Sequence, residues 1–529
     1  MKLPKIILVL FDCDLDVQWN FGYKLNIQYS RKALNDNFDA IGNLDTDFIL
    51  FWDGTIELPT EDNLIQIMKS KGNLWHIGPK IGTNDFVKLL DDIKPTDMLH
   101  TKVDDMIDHT SWKMSFRGCL MRKDVFEFIP LENYSDSLDI IALDFGYKAI
   151  KSGILTRYSR LLAQNHLEKR VSIQNSDEFF FIKKNFDKKA LLWTYFMNPG
   201  KIRPFRFLNL LKAPKKIFDS TYSYDDFSDI SLDEQHTDVS IVIATLERYQ
   251  VLKAELEELS RLNLMPKEII IVDQTPIEKR SKKFLEAFSE LPIQYIESDK
   301  IGQCTARNIG IANAKGTYIW FLDDDMKGIP SNYLESHLKT LHNFEADISC
   351  GIPDEIGTNY IERSNPKIEI SDGFPTNDVL VKRTLLQKVE GFDIKMNQKQ
   401  SEDQEIGLRC VKEGALSVKN NQLRIVHLRA SRGGLRNHNV RKITFASSRS
   451  SLIQRRFLHH SEIYSNLKHF GKRKTTKALM LNIRGTFIIK GNLFRKFSKI
   501  LIGFILLPHT LFTTKKNYTL AKKMMKEQL

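Results

Sequence analysis

An apolar run that ends in three consecutive carboxylates is the feature that most restricts how this chain can fold. Residues 318–322 (YIWFL) have the composition of a buried strand, and Asp323, Asp324 and Asp325 follow directly. Carboxylates do not belong inside a sheet that is covered on both faces, so we expect them just beyond the strand end. In open α/β sheets, ligands bind at that edge. The run therefore predicts an α/β fold with a ligand site beside these residues.

The three aspartates also suggest what that ligand is. Neighbouring carboxylates raise each other's pKa unless a cation lies between them. Hard oxygen ligands suit Mg²⁺ or Mn²⁺, and a divalent ion held by few protein groups commonly takes phosphate oxygens as its other ligands. A metal–diphosphate site is our first interpretation. A solvated acidic turn is the alternative, because Asp is common in turns.

Two other strands in this part of the chain also end in polar residues. The β-branched run 239–244 stops at Thr245, and the run 268–272 stops at Asp273. Helical segments separate these strands, which predicts right-handed crossovers and a mainly parallel sheet. Because the carboxyl ends of parallel strands share one edge, Thr245, Asp273 and Asp323 should converge. That convergence favours a binding site over an acidic turn.

The chain is too long, at 529 residues, for one hydrophobic core. With 42% hydrophobic and 27% charged residues, it has the composition of a folded protein. We predict a Rossmann-like α/β domain over residues 1–200, a linker over 201–236, a second such domain over 237–440, and a basic, mostly helical region over 441–529.

The cysteines and the apolar segments bear on the compartment. Five scattered cysteines without a CxxC pair favour a reducing compartment and argue against zinc. The apolar run 6–11 is too short for a secretory signal and should be the first strand. No apolar stretch reaches the roughly 18 residues that span a bilayer. We therefore expect a cytoplasmic protein.

The net charge of +12 is concentrated at the C-terminus. After residue 440, about twenty Lys and Arg stand against only Glu462 and Glu527. Basic and apolar residues coincide most clearly in residues 494–507, which suits a membrane interface better than a crossing. We expect residues 441–529 to contact an anionic membrane peripherally, at the inner face of the cell membrane. An amphipathic helix packed on the protein is the alternative, and no nucleic acid is expected.

The second α/β region, residues 238–437, resembles the family-2 glycosyltransferases, which have the GT-A fold. The resemblance rests on six elements in order: Val239–Thr245, Ile269–Asp273, Gly302–Asn308, Phe321–Asp325 as the DxD element, Gly391–Asp393, and Glu402 with Asp403. One departure is visible, since Gln274-Thr275-Pro276 stands where the family often has a small polar residue.

The resemblance implies a donor site. Thr245, Glu247 and Asp273 would line the nucleotide pocket. Arg307 would meet the nucleotide or the diphosphate, because a guanidinium matches paired oxygens. A structural salt bridge is the alternative role for Arg307. Asp273 has the alternative of capping a helix.

The metal site also follows from the resemblance. Asp323 and Asp325 would hold the ribose and Mn²⁺ or Mg²⁺, with Asp324 between them. The metal would offset charge on the departing diphosphate. His427 would be a third metal ligand or a diphosphate contact, with a plain structural role as the alternative. Arg436 would reach the diphosphate.

Asp403 would be the general base in such an enzyme. It would take the proton of the acceptor hydroxyl as that oxygen attacks from the face opposite the diphosphate, which inverts the configuration. Because acids are favoured at a helix start, a capping role is the alternative.

The first α/β region is a weaker relative. Residues 46–55 parallel residues 317–325 in layout, but Gly54 and Thr55 replace the later carboxylates. Asp144 falls near the place of Asp403. We expect a degenerate GT-A-like domain here, with a separate active transferase as the alternative.

Together these features predict an inverting, metal-dependent glycosyltransferase. A nucleotide-sugar, expected to be a UDP-sugar, would be its donor. A glycan or lipid-linked acceptor in envelope polysaccharide or glycoconjugate synthesis would receive the sugar. One rival is a sugar-nucleotide pyrophosphorylase, but the loop 245–248 (TLER) has no glycine. The other is a non-catalytic carbohydrate-binding or scaffold protein.

Overall fold

The structure is a computed structural model with two β-sheets. It describes residues 4–13, 19–70, 72–131, 134–162, 167, 170–213, 218–224, 232, 238–355, 368–371, 373–428 and 445–527. Helices flank both sheets, which confirms the α/β class. The central strands are apolar and buried, so both faces of each sheet must be covered.

In the described residues the first sheet has seven strands. They are β1 (Ile6–Phe11), β2 (Lys24–Ile27), β3 (Phe48–Asp53), β4 (Leu74–His76), β5 (His109–Thr110), β6 (Gly118–Arg122) and β7 (Thr156–Tyr158). Their order is β2-β1-β3-β6-β4-β7-β5. The helices of this half are α1 (Arg31–Asp36), α2 (Phe38–Asn43), α3 (Glu61–Lys69), α4 (Lys123–Phe128), α5 (Leu138–Lys151), α6 (Asn175–Asn185), α7 (Lys188–Met197) and α8 (Pro204–Lys212).

The second sheet has nine strands in the part of the chain that the structure describes. They are β8 (Val239–Thr245), β9 (Glu268–Asp273), β10 (Ile293–Glu297), β11 (Tyr318–Asp323), β12 (Met326–Lys327), β13 (Ile348–Glu355), β14 (Ile368–Ile370), β15 (Asp378–Lys382) and β16 (Ser417–His427). The order is β10-β9-β8-β11-β15-β13-β16-β12, and β14 pairs with β16. The helices here are α9 (Tyr249–Leu259), α10 (Gln303–Asn313), α11 (Tyr333–Phe344), α12 (Arg383–Lys388) and α13 (Glu402–Lys412).

The two sheets share one topology. The series β9-β8-β11-β15-β13-β16-β12 repeats β2-β1-β3-β6-β4-β7-β5 in spatial order. Each of the six pairings also has the same direction in both series. Only β5 and β12 differ in chain order, since β5 follows β4 whereas β12 precedes β13.

Both sheets are mixed, which corrects the expectation of mainly parallel sheets. The pairings of β15 with β11 and β13 are antiparallel, as are those of β6 with β3 and β4. A parallel connection needs a crossover, usually a helix, and no helix lies between β13 and β15 in the described residues. The return strand therefore runs antiparallel.

The C-terminal region is helical, as predicted, and contacts both halves. Its helices are α14 (Phe445–Ser450), α15 (His460–Gly485), α16 (Leu493–Ile505) and α17 (Leu507–Lys526). On α15, Lys474 Nζ lies 3.1 Å from Asp91 of the first half, and Lys468 Nζ lies 2.7 Å from Glu405 of the second. The domain limits given above stay a prediction.

Candidate active site

Three strand ends meet at one edge of the second sheet. Thr245 at the end of β8 pairs with Asp273 at the end of β9. Asp323 at the end of β11 pairs with Ala244 of β8. The expected convergence of Thr245, Asp273 and Asp323 is therefore present.

Asp324, one of the two buried members of the aspartate triplet, bonds to the first loop. Its Oδ2 accepts a hydrogen bond of 2.8 Å from Thr245 Oγ1, and its Oδ1 accepts one of 2.7 Å from Arg248 Nη1. Burial, with help from the neighbouring charge of Asp325, raises the pKa of Asp324 to about 6, although Arg248 opposes the shift. The structure thus places Thr245 and Asp324 against each other, where they anchor the first loop to the triplet.

Asp323, Asp325 and His427 form a group that can hold a metal ion. One ligand atom from each lies within 4.8 Å of the other two. His427 Nε2 is 3.1 Å from Asp325 Oδ1. The short pairing of β12 with β16 sets His427 opposite Met326, which explains how residues about a hundred positions apart meet.

The chemistry of this group fits a divalent cation. Two carboxylates and one imidazole offer the oxygen and nitrogen donors that suit Mn²⁺, and the carboxylates also suit Mg²⁺. Three protein ligands leave coordination positions for phosphate oxygens or water. The residues predicted as metal ligands are thus brought together.

Arg307 joins the metal-ligating edge to the start of α13. Its Nη2 donates to Asp323 Oδ1 at 3.1 Å, and its Nη1 donates to Glu402 Oε1 at 3.3 Å. Arg307 is buried. In the structure it makes the salt bridge that the sequence left as its alternative role.

The start of α13 presents two adjacent carboxylates in different surroundings. Glu402 is buried, whereas Asp403 is partly exposed. Burial, and then the charge of Asp403, raise the pKa of Glu402 to about 7, and Arg307 opposes the shift. Asp403 Oδ1 accepts from the Gln404 backbone N–H at 2.8 Å. Ser401, just before them, has φ +72°, a left-handed conformation that is uncommon for a residue with a side chain. Asp403 is therefore the accessible carboxylate of the pair.

Asp273 is enclosed by two tyrosines. Its Oδ2 accepts from Tyr249 Oη at 2.5 Å and also from Tyr295 Oη. Its Oδ1 accepts from the Thr275 backbone N–H at 2.8 Å. A nucleotide would have to displace one of the tyrosines to reach this carboxylate, which is fully buried.

The loop residues nearby hold the strand ends in place. Glu247 has φ +57°, and its Oε1 lies 3.1 Å from Lys279 Nζ. The Gln274 side chain accepts from the Gly302 N–H at 3.1 Å and donates to its carbonyl at 3.2 Å. The glutamine that departs from the family pattern thus fixes the turn before α10. Arg436 lies outside the described residues.

Sequence reasoning missed the roles of Arg248, Glu402 and Glu255. Glu255 on α9 is buried, and its Oε2 accepts from the Met326 N–H at 3.4 Å. Burial, with the charges of the three aspartates, raises its pKa well above the ordinary value. Arg248 and Glu255 are recognisable only once β8 is known to lie next to β11, because that pairing brings the first loop and α9 to the triplet.

Comparisons with known proteins show which family this part of the chain is similar to. Residues 240–398 match the family model "Glycosyl transferase family 2". An uncharacterized glycosyltransferase, YwdF of Bacillus subtilis, is 43% identical over 88 residues, 16% of this chain and 32% of YwdF. Glycosyltransferase GlyA of Streptococcus pneumoniae is 35% identical over 86 residues, 16% of this chain and 12% of GlyA.

Among solved structures, S. aureus TarS 1-349 in complex with UDP-GlcNAc matches with a TM-score of 0.37 and 12% identity. The match covers 55% of this chain and 91% of that one. The two curated relatives are matched over only about a third and an eighth of their own lengths.

Proposed function

We propose that the protein transfers a sugar from a nucleoside-diphosphate donor to an acceptor hydroxyl, because residues 240–398 match the family-2 glycosyltransferase model. A UDP-sugar is the first candidate donor. The acceptor is a glycan or a lipid-linked glycan in envelope polysaccharide or glycoconjugate synthesis. The transfer inverts the configuration at the anomeric carbon.

One observation carries this proposal: the cation group and the Asp403 helix start lie on the two sides of one arginine. Arg307 bonds Asp323 of the group and Glu402, the residue before Asp403. When bound, a divalent ion at Asp323, Asp325 and His427 would stabilise the negative charge of the leaving diphosphate. The site thus has a place for the leaving group and a carboxylate near it.

Asp403 is the proposed base. It takes the acceptor proton while the acceptor oxygen attacks the anomeric carbon. Glu402 does not suit this task because it is buried and bonded to Arg307. Asp403 is partly exposed, so an acceptor hydroxyl can approach it.

The two rivals are less well supported. A pyrophosphorylase needs a phosphate-binding loop after its first strand, but here Arg248 in that loop is bonded to Asp324. A scaffold protein would have no need for two carboxylates and a histidine within 4.8 Å of one another.

The test is release of the nucleoside diphosphate from a panel of nucleotide-sugars by the full chain. We expect turnover of one donor with Mn²⁺ or Mg²⁺, none with chelator, and none in Asp325→Asn. Asp238→Asn is the matched control, since Asp238 precedes β8 at the opposite edge of the sheet and pairs with Lys267 at 2.9 Å. Turnover that persists in Asp325→Asn with chelator present would overturn the proposal.

A further inference from the structure

Helix α16 exposes its apolar side. Seven large apolar side chains on it are between 42% and 82% exposed: Leu493, Phe494, Phe497, Ile500, Leu501, Phe504 and Ile505. At 3.6 residues per turn they fall within an arc of about 140°. Leu511 and Phe512, 50% and 68% exposed, follow on α17. An apolar stripe of this width ordinarily faces the core of a globular protein.

The opposite side of α16 is fixed to the protein. Lys499 is buried, and its Nζ donates to the carbonyls of Ser451, Gln454 and Ser448 at 2.7, 3.0 and 3.2 Å. Gly503 packs so closely on Phe487 that a Cβ there would lie 2.5 Å from the ring. The three hydrogen bonds of Lys499 and the close contact of Gly503 fix how the helix is turned about its own axis. The apolar stripe on the other side therefore faces away from the protein.

The charge around the stripe is of one sign. From Ile463 to Lys526 the sequence contains no Asp or Glu. Five basic residues at the ends of the stripe are exposed: Lys490, Arg495, Lys496, Lys515 and Lys516. These five residues, which we call the basic ring, complement anionic lipid headgroups, and each Lys or Arg near the headgroups adds to binding.

The same helices are poorly suited to crossing a bilayer. In the described part of the chain no single helix is long and apolar enough to do so, and α16 and α17 qualify only as a pair bent by 63°. A short helix with a wide apolar stripe and basic flanks is instead the kind that lies in the membrane interface.

We propose that α16 and the start of α17 lie flat on an anionic lipid bilayer, with the nine apolar side chains inserted below the headgroups. Their burial supplies the hydrophobic part of the binding, and the basic ring supplies the electrostatic part. The inference is independent of the proposed function, because it concerns a surface that contains none of the candidate site residues. If both hold, the transferase works at the inner face of a membrane.

The test is co-sedimentation of the full chain with lipid vesicles at two salt concentrations. We expect binding to phosphatidylcholine vesicles containing phosphatidylglycerol, weaker binding at high salt, and little binding to phosphatidylcholine alone. The double variant Phe494→Glu/Phe497→Glu should lower binding at least tenfold while its melting temperature stays unchanged. Met106→Glu, at a residue 64% exposed in the first half, is the control and should bind as the wild type does.

Three results would overturn the inference. One is no binding of the wild type to anionic vesicles, and another is equal binding of the double variant. The third is a dimer in solution that the double variant abolishes while vesicle binding is unaffected, since the stripe would then be covered by a second copy of the chain.

Discussion

The two sheets place acids at matching positions but surround them with different groups. Asp53 ends β3 as Asp323 ends β11, and each lies beside the strand that opens its sheet. Asp139 is the second residue of α5, and Asp403 is the second residue of α13. The matching acid of the first half is therefore Asp139. The expectation that Asp144 takes this place is wrong, because Asp144 lies in the middle of α5, where it pairs with Lys148 at 2.9 Å.

In the first sheet an arginine stands between the matching acids. Arg117 Nη1 donates to Asp53 Oδ2 at 2.8 Å, and its Nε lies 3.4 Å from Asp139. Its guanidinium also lies 3.6 Å from the centre of the Tyr29 ring, and Tyr29 Oη donates to Asp139 at 2.6 Å. Here the protein supplies its own fixed cation.

In the second sheet Arg307 likewise bonds Asp323, but Asp325 and His427 also lie beside that aspartate and form with it a group that can hold a metal ion. Gly54 and Thr55 follow Asp53 where Asp324 and Asp325 follow Asp323. The comparison teaches that a shared topology sets where charge collects, and that a few side chains decide whether guanidinium groups alone balance it or a group that can hold a metal ion is present as well. That the first half is a degenerate GT-A-like domain stays a prediction, which the shared topology supports.

The largest expected difference between the halves is catalytic. Asp403→Asn should lower kcat by about 10²–10⁴, the usual contribution of a general base. Asp139→Asn, the matched change, should leave kcat per folded molecule unchanged, because Asp139 is engaged by Arg117 and Tyr29. Steady-state kinetics on both variants checks this. Equal losses of kcat would mean that the first half takes part in the chemistry.

Arg117→Met should destabilise the first half by about 3 kcal/mol, because it leaves two largely buried carboxylates without their cation. The measurement is urea unfolding followed by tryptophan fluorescence, since Trp52 and Trp112 are buried in this half. The conservative Arg117→Lys should recover part of the loss. Transfer activity of the folded protein should not change. A fall in activity would contradict the claim that only the second sheet carries the active site.

The strands of the second sheet, and the edge where the candidate site lies, could be predicted from the sequence. Apolar runs that stop at Thr245, Asp273 and Asp323 reveal both the strands and their polar ends. The sequence did not reveal which side chains bind the residues at those strand ends, since Arg248 reaches Asp324 only because β8 and β11 are neighbours.

The role of Asp139 at the start of α5 was missed for a related reason. The first turn of this helix is rich in apolar residues. Asp139 forms an ion pair with Arg117 and accepts a hydrogen bond from Tyr29, and both partners come from distant parts of the chain. Such contacts follow from the fold and leave no local pattern in the sequence.

A smaller difference concerns pH. In the folded protein the pKa of Glu402 is about 7, above its ordinary value of 4.5, so the folded state binds this proton more tightly than the unfolded state. Its contribution to stability is therefore complete below about pH 4.5 and is lost as the pH rises through 7. Glu402→Gln should remove about 1–3 kcal/mol of this pH dependence in metal-free protein.

Denaturant unfolding of both proteins at pH 5 and pH 8 measures this effect. The matched residue of the first half is Leu138, which does not titrate. If Glu402→Gln leaves the pH dependence unchanged, Glu402 is not the buried acid that the structure shows.

Calorimetric titration of the metal-free full chain with Mn²⁺ tests most directly whether only the second sheet holds an exchangeable cation. We predict one Mn²⁺ per chain, lost in Asp325→Asn and retained in Asp53→Asn. Two ions per chain, or one ion that survives Asp325→Asn and is lost in Asp53→Asn, would contradict the account.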